Sequence, residues 1–387
     1  MQRVKIPDHE YKARIENAAN LAGKMGLDIL IVNGNEADYG NTRYLSGFWP
    51  LFERCGVAIT PSGKSAMMVG PESKYFAGSI AKIDKIFVLI EYRESADPAV
   101  PEVSMDTFRD VFKYLGVAGE HLKIGVAAWL DTNLVIMDGI RGAYPKADII
   151  RADAVMKQLR SVKTSNEIAC IREASRIASI ALDEVKNAIR PGMTELQLVG
   201  VAQASIYENG AEYEGLPIFI VSNEATRQAV SRASHHVFEK GDLVQIGLSA
   251  KVDGYSPSIG YPLSLGPLTG FRRELVEFGL EMHRWTTAQL KPGVSASTIA
   301  KDFLRIFKER GYERHYLYGP CHGMGLIEVE SPWMETTSDY PLQSGMCFEI
   351  DTFAYAEDFG MRWERPCAVT NEGVEIMGRP IGDIYEL

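Results

Sequence analysis

The chain has 387 residues, 46% of them hydrophobic and 24% charged, with a formal charge of −10. That length exceeds one compact core and points to two domains, and the balance is that of a soluble globular protein. The acidic charge and the lack of a basic run exclude nucleic acid as a partner, and no apolar stretch is long enough to span a bilayer.

The first residues lack the apolar core of a secretory signal. Five scattered cysteines (55, 170, 321, 347, 367) show no CxxC spacing and fit reduced thiols. The expected location is therefore the cytoplasm. Residues 9–25 carry apolar side chains at helical spacing, and 27–33 form a continuous β-branched strand. Residues 55–60, 65–70, 85–90 and 123–127 read as further strands, with a helix over 105–115. Strands alternating with helices make residues 1–158 an α/β domain. It has neither GxGxxG nor a P-loop, so nothing in it points to a nucleotide.

The second domain, 159–387, opens on Thr164 with Glu167 three residues on, a capping box that starts a helix running to about Ile189. Beyond it the chain repeats itself. Arg190-Pro-Gly-Met-Thr is echoed by Lys291-Pro-Gly-Val-Ser, and the strand opening at Gly241 by the strand opening at Gly345. The prolines lie 101 residues apart and the glycines 104, offsets close enough to indicate a duplicated α/β unit. A site is expected where the two copies meet.

The richest chemistry lies in Tyr318–Pro332 and the two acidic strands after it. His322 is followed by Gly323 and Gly325, which let backbone approach whatever the imidazole faces. Asp351 and Glu364 each sit in an apolar strand, where alternation turns them inward. One histidine and two carboxylates can hold a metal or run acid–base chemistry. Arg362 shares the face of Glu364 and is placed to compensate charge in the pocket or to form a plain ion pair, whereas Arg365 points the other way. Tyr255 reads as a pocket wall. Cys321 is a nucleophile or a small buried filler, and the usual behaviour of free cysteine favours the filler.

Taken in order, Leu159-Arg-Ser-Val-Lys, Arg190-Pro-Gly-Met-Thr-Glu, Gly241-Asp-Leu-Val, Asp253-Gly-Tyr, His322-Gly-Met-Gly, Gly345-Met and the Glu364 strand resemble the creatinase, prolidase and aminopeptidase P superfamily. Asn41-Thr-Arg-Tyr-Leu-Ser-Gly-Phe is similar to its N-terminal domain, so the resemblance covers nearly the whole chain. It implies a creatinase-type α/β domain followed by an α+β pita-bread catalytic domain with an internal pseudo-two-fold repeat. It also implies a homodimer in which the N-terminal domain covers the partner's site.

Most of that superfamily hold two divalent metals on two Asp, one His and two Glu. The matching positions here are Gly247, Ser258, His322, Asp351 and Glu364. Both Asp are missing, and a glycine and a hydroxyl cannot offset the repulsion of adjacent dications. No metal cofactor is therefore expected; if one ion binds, its ligands are His322, Asp351 and Glu364. A second superfamily histidine falls on Val329 while Glu330 is kept, and a third falls near Val230, leaving His235 or His236 to serve in its place.

Creatinase and ectoine hydrolase are metal-free members of this superfamily. The expected function is accordingly a metal-independent hydrolase cleaving a C–N bond (amide, amidine or lactam) of a small polar substrate. His322, Glu364, Asp351, His235 and His236 are the catalytic candidates, and Arg54, Trp49, Phe52, Tyr255, Glu330 and Arg362 the substrate-binding ones. The alternatives are an Xaa-Pro dipeptidase or aminopeptidase with a single ion, and an inactive binding protein of the same fold.

Overall fold

The computed structural model describes residues 3–94, 104–380 and 382–387. The chain divides into two units, Pro7–Arg160 and Ser161–Leu387, the latter joined by the leading segment through Ile6.

The first unit runs α1 (Asp8–Lys24), β1 (Ile29–Gly34), α2 (Gly40–Ser46), β2 (Cys55–Ile59), β3 (Ser65–Val69), α3 (Lys74–Ile80), β4 (Ile86–Val88), α4 (Phe108–Leu115), β5 (Lys123–Ala127), α5 (Leu134–Ala143) and β6 (Asp148–Arg151), with α6 (Asp153–Ser161) closing it. Its six strands form one mixed sheet in the order β4-β3-β2-β1-β5-β6. β1 is buried at every position, which is why it reads as an unbroken apolar run rather than an alternating one. The helix expected over 105–115 begins at Phe108, where Thr107 and Asp110 close a capping box.

The second unit opens with α7 (Ser165–Ala188), capped by Thr164 and Glu167 as the sequence predicts, and α8 (Glu195–Glu208). Then come β7 (Tyr213–Glu214), β8 (Phe219–Ser222), β9 (Leu243–Lys251), β10 (Ser258–Ser264), α9 (Gly270–Gln289) and α10 (Ala296–Glu309). The chain ends with β11 (Cys321–Gly323), β12 (Glu330–Met334), β13 (Cys347–Tyr355), β14 (Gly360–Val369), β15 (Val374–Ile376) and β16 (Tyr385–Glu386). A strongly paired sheet runs β12-β11-β13-β14-β10-β9-β7, with β8 also on β9, β15 on β14 and β16 on β10.

The duplication is visible in the pairing. Thr194 bridges Val237 and Ser295 bridges Pro341, and these pairs repeat at the same two offsets as the prolines and glycines. Gly241 and Gly345 both turn with positive φ (94° and 90°), a conformation that side chains disfavour, before the strands that follow them. Helix α7 packs on the β9–β10 hairpin and α9 on the β13–β14 hairpin. The two hairpins abut at a single register pair, Gly260 opposite Glu364. No helix among the described residues is long and apolar enough to cross a membrane.

Candidate active site

One row of residues crosses the sheet where the hairpins meet: Gly247 pairs with Gly260, Gly260 with Glu364, and Glu364 with Asp351. Half of this floor is bare and half is acidic. A methyl group added at Gly247 would overlap the Phe219 ring, which pairs with it from β8 and covers it. One added at Gly260 would meet Cγ of Arg362 and Cβ of Glu364 at 2.8 Å. Aromatic and guanidinium groups thus fill the space over the glycines, a cross-strand substitution of one side chain for a missing one.

His322 on β11 is 5% exposed, with Nε2 3.5 Å from Glu364 Oε1 and 3.8 Å from Glu328 Oε1. Burial alone would lower its pKa, but the Glu364 carboxylate and the charges of Glu328 and Asp351 raise it to about 9, so the imidazole is a cation at neutral pH. Burial and the neighbouring Glu364 push Glu328 up to about 7, with His322 and the Ser258 hydroxyl opposing them. Glu364 is also buried, yet its contacts with His322 and Arg362 outweigh desolvation and hold it below the usual carboxylate range.

Asp351 is held from both sides. Tyr318 donates its hydroxyl to Oδ2 at 2.7 Å, Arg362 Nη2 donates to that same hydroxyl at 2.7 Å, and Arg362 Nε lies 3.3 Å from Oδ1. The guanidinium is also flanked by the Phe219 and Phe353 rings, 5.9 and 5.4 Å from their centroids. Burial raises Asp351 above the ordinary range and the Arg362 charge opposes it. Arg362 therefore does lie on the site face and compensates charge there. Arg365 points to the opposite face, against Tyr261. Ser258 ties the acids together, donating its backbone N–H to Glu349 at 2.8 Å and its hydroxyl to Glu328 at 2.9 Å.

Above this floor is a cavity of about 620 Å³ whose lining includes Phe219, Val230, Tyr318, His322, Glu328, Trp333, Asp351, Arg362 and Glu364. The structure brings His322, Asp351, Glu364 and Arg362 together there. It adds Glu328, which the sequence reading passes over. Glu328 and Glu330 would share a face in a strand, but β12 begins only at Glu330, and the pairing shifts register between His322 and Gly323. The loop before β12 frees Glu328 to turn into the cavity.

Other candidates fall elsewhere. Glu330 is not in the lining: it pairs with Lys163 at 3.1 Å, with side chains only 8% and 1% exposed. Tyr255 is buried with its hydroxyl on Glu167 at 2.7 Å and belongs to the packing of α7. His236 lies 3.1 Å from Asp242 with a side chain 41% exposed, and His235 is exposed; neither lines the cavity. The position near which they were to serve is filled by Val230, which does line it. Cys321 is 2% exposed and burial holds its thiol far above the ordinary range, so it is filler and not a nucleophile. In the first unit, Trp49 donates to the Glu36 carbonyl, Phe52 donates its backbone N–H to the Glu36 carboxylate, and Arg54 donates to the Arg93 carbonyl.

Glu330→Gln is expected to lower unfolding free energy by about 3 kcal/mol, because it leaves a buried ammonium without its carboxylate. Urea denaturation measures this. Unchanged stability with raised KM would return Glu330 to the substrate.

The expected single-ion ligand set also changes. Ligand atoms of His322, Glu328 and Glu364 lie within 4.8 Å of one another, whereas Asp351 is engaged by Arg362 and Tyr318.

The profile of metallopeptidase family M24 matches residues 169–371, and that of the Creatinase/Prolidase N-terminal domain matches residues 14–162. The Xaa-Pro dipeptidase of Pyrococcus furiosus is 26% identical over 365 residues, 94% of this chain and 97% of its own. The agropine synthesis cyclase of Rhizobium rhizogenes is 26% identical over 392 residues, 96% of each. Among solved structures, the prolidase from Pyrococcus horikoshii OT3 superposes with a TM-score of 0.82 at 22% identity, covering 96% of this chain and 99% of that one. These similarities extend the fold likeness across both units, including the pita-bread catalytic domain.

Proposed function

Since the chain belongs to metallopeptidase family M24, we propose that it cleaves a C–N bond of a small polar substrate without the paired cations that the resemblance implies for most of the superfamily. The Phe219 ring over Gly247 carries this reading. The residues do not fit two cations: one ligand position has no side chain and no room for one, and the other is a serine whose hydroxyl is spent on Glu328. Arg362 supplies a fixed positive charge beside the remaining acids instead.

In this reading Asp351 and Glu364 orient the N–H groups of the substrate, and Arg362 with Tyr318 fixes Asp351 in place. Glu328, as carboxylate, takes a proton from water, whose oxygen adds to the carbon of the scissile bond. His322, as imidazolium, gives its proton to the departing nitrogen as the C–N bond breaks. Glu328 titrating at about 7 and His322 at about 9 leave the base ionised and the acid protonated between those two values, which suits such a division. A relative named as a cyclase shows that names within this similarity are not confined to peptidases. The homodimer implied by the resemblance, and substrate contact by Arg54, Trp49 and Phe52, belong to the same proposal.

A second reading is favoured by one observation, the close approach of His322, Glu328 and Glu364. These three would hold a single divalent ion, which when bound polarises a carbonyl and acidifies water. It would make the chain an Xaa-Pro peptidase with one ion. Metal analysis of the purified full-length protein, paired with assays on guanidino, ureido, lactam and X-Pro substrates with and without chelator, separates the two. The metal-free reading expects far less than one ion per chain and turnover that chelator leaves intact. One equivalent with chelator-sensitive turnover establishes the second reading, and two equivalents overturn both.

A further inference from the structure

The cavity holds polar groups at two depths, and the reaction scheme uses only the deep ones. Asp351 Oδ1 and Glu364 Oε1 are buried in the cavity lining without a well-formed hydrogen bond, each reached only by an ion-pair partner, Arg362 Nε at 3.3 Å and His322 Nε2 at 3.5 Å. Buried acceptors of this kind are costly unless something supplies N–H donors. In the same lining, Arg232 is exposed and its guanidinium meets no carboxylate among the described residues. It follows Val230 and Ser231 on the segment that Arg362 ties to the floor by donating to the Ala229 carbonyl at 2.8 Å. The lining therefore offers acceptors deep inside and one free cation on an exposed side chain. Val230, Val329 and Trp333 add apolar surface, with Trp333 packed 5.5 Å from His322.

We infer that Arg232 is a specificity-determining residue that binds an anionic group of the substrate, so the substrate is dipolar: a donor-bearing nitrogen group on Asp351 and Glu364, and a carboxylate at Arg232. This rests on the function proposed above for the two acids, and adds the opposite end of the molecule. An arginine fork suits a carboxylate better than a lysine would, because it offers two parallel donors. Apolar walls favour a hydrocarbon spacer between the charged ends over a polyhydroxylated one.

Calorimetric titration of the full-length protein with 4-guanidinobutyrate and with agmatine tests this without requiring turnover. The two probes share a guanidino head and a short alkyl spacer, and differ in carrying a carboxylate or an ammonium at the far end. Wild type is expected to bind 4-guanidinobutyrate about fivefold tighter, the upper range of one exposed ion pair with the ammonium's repulsion adding to the contrast. Arg232→Gln should erase that preference by weakening 4-guanidinobutyrate, with agmatine affinity held or slightly raised as a like charge is removed, and Arg232→Lys should restore part of it. Equal binding of both probes by wild type, or equal loss of both in Arg232→Gln, overturns the assignment. If wild type binds neither probe, the role given to Asp351 and Glu364 fails first and takes this inference with it. If Asp351→Asn weakens both probes while Arg232→Gln changes neither, the acids stand and Arg232 alone is refuted.

Discussion

Glu328→Gln will lower kcat by about 10²- to 10⁴-fold, the usual contribution of a positioned general base. Its folded stability at pH 8 will hold or rise slightly. The sign follows from the shift: Glu328 is pushed up to about 7 from 4.5, so ionising it costs folding free energy. That cost is absent below the ordinary carboxylate range and complete above about 7, and glutamine removes it. Glutamine also keeps an oxygen for the Ser258 hydroxyl, so the local packing survives. The pH profile sharpens the test. With Glu328 acting ionised and His322 acting protonated, wild-type activity rises through about 7 and falls through about 9. The variant should lose the acid limb and keep an alkaline one, moved to lower pH because the Glu328 charge no longer raises His322. A variant with normal kcat, or one whose loss merely follows unfolding, would remove Glu328 from the chemistry.

Restoring an acid at position 247 will fail to restore a metal centre. Gly247→Asp is expected to cost about 2–4 kcal/mol, combining overpacking against Phe219 with burial of an unpaired carboxylate. Denaturant unfolding reads the loss as a lowered midpoint at unchanged slope. Adding Phe219→Ala should recover part of it by opening the space over residue 247. If Gly247→Asp alone is as stable as wild type, the ring does not fill the ligand position, and the steric obstacle to two cations falls away.

The capping box at Thr164, the repeat offsets and the strand faces of Asp351, Arg362 and Glu364 were readable because each depends on local chemistry or on a fixed period. The absence of acids at 247 and 258 was equally plain. What fills their place was not. Phe219 lies 28 positions before Gly247 and meets it only through β8–β9 pairing, which no local pattern announces. Glu328 escaped for a related reason, since strand alternation cannot tell where a loop ends and β12 starts. His235 and His236 were attractive because of a shift in counting, yet Val230 kept the position that the count had given it. In the first unit, residues 40–46 carried no assigned element, and they form α2, ended by Gly47 at φ 73°.

The glycine pair and the acid pair come from different halves of the duplicated domain, so the halves have diverged in what they contribute, one making room and the other making reactivity. A chain with this division of labour can change what it accepts by altering residues on β8 to β10, while the proton-moving groups on β11 to β14 stay untouched. New specificities would then be sought by varying Phe219 and its neighbours, leaving the catalytic half as a fixed cassette.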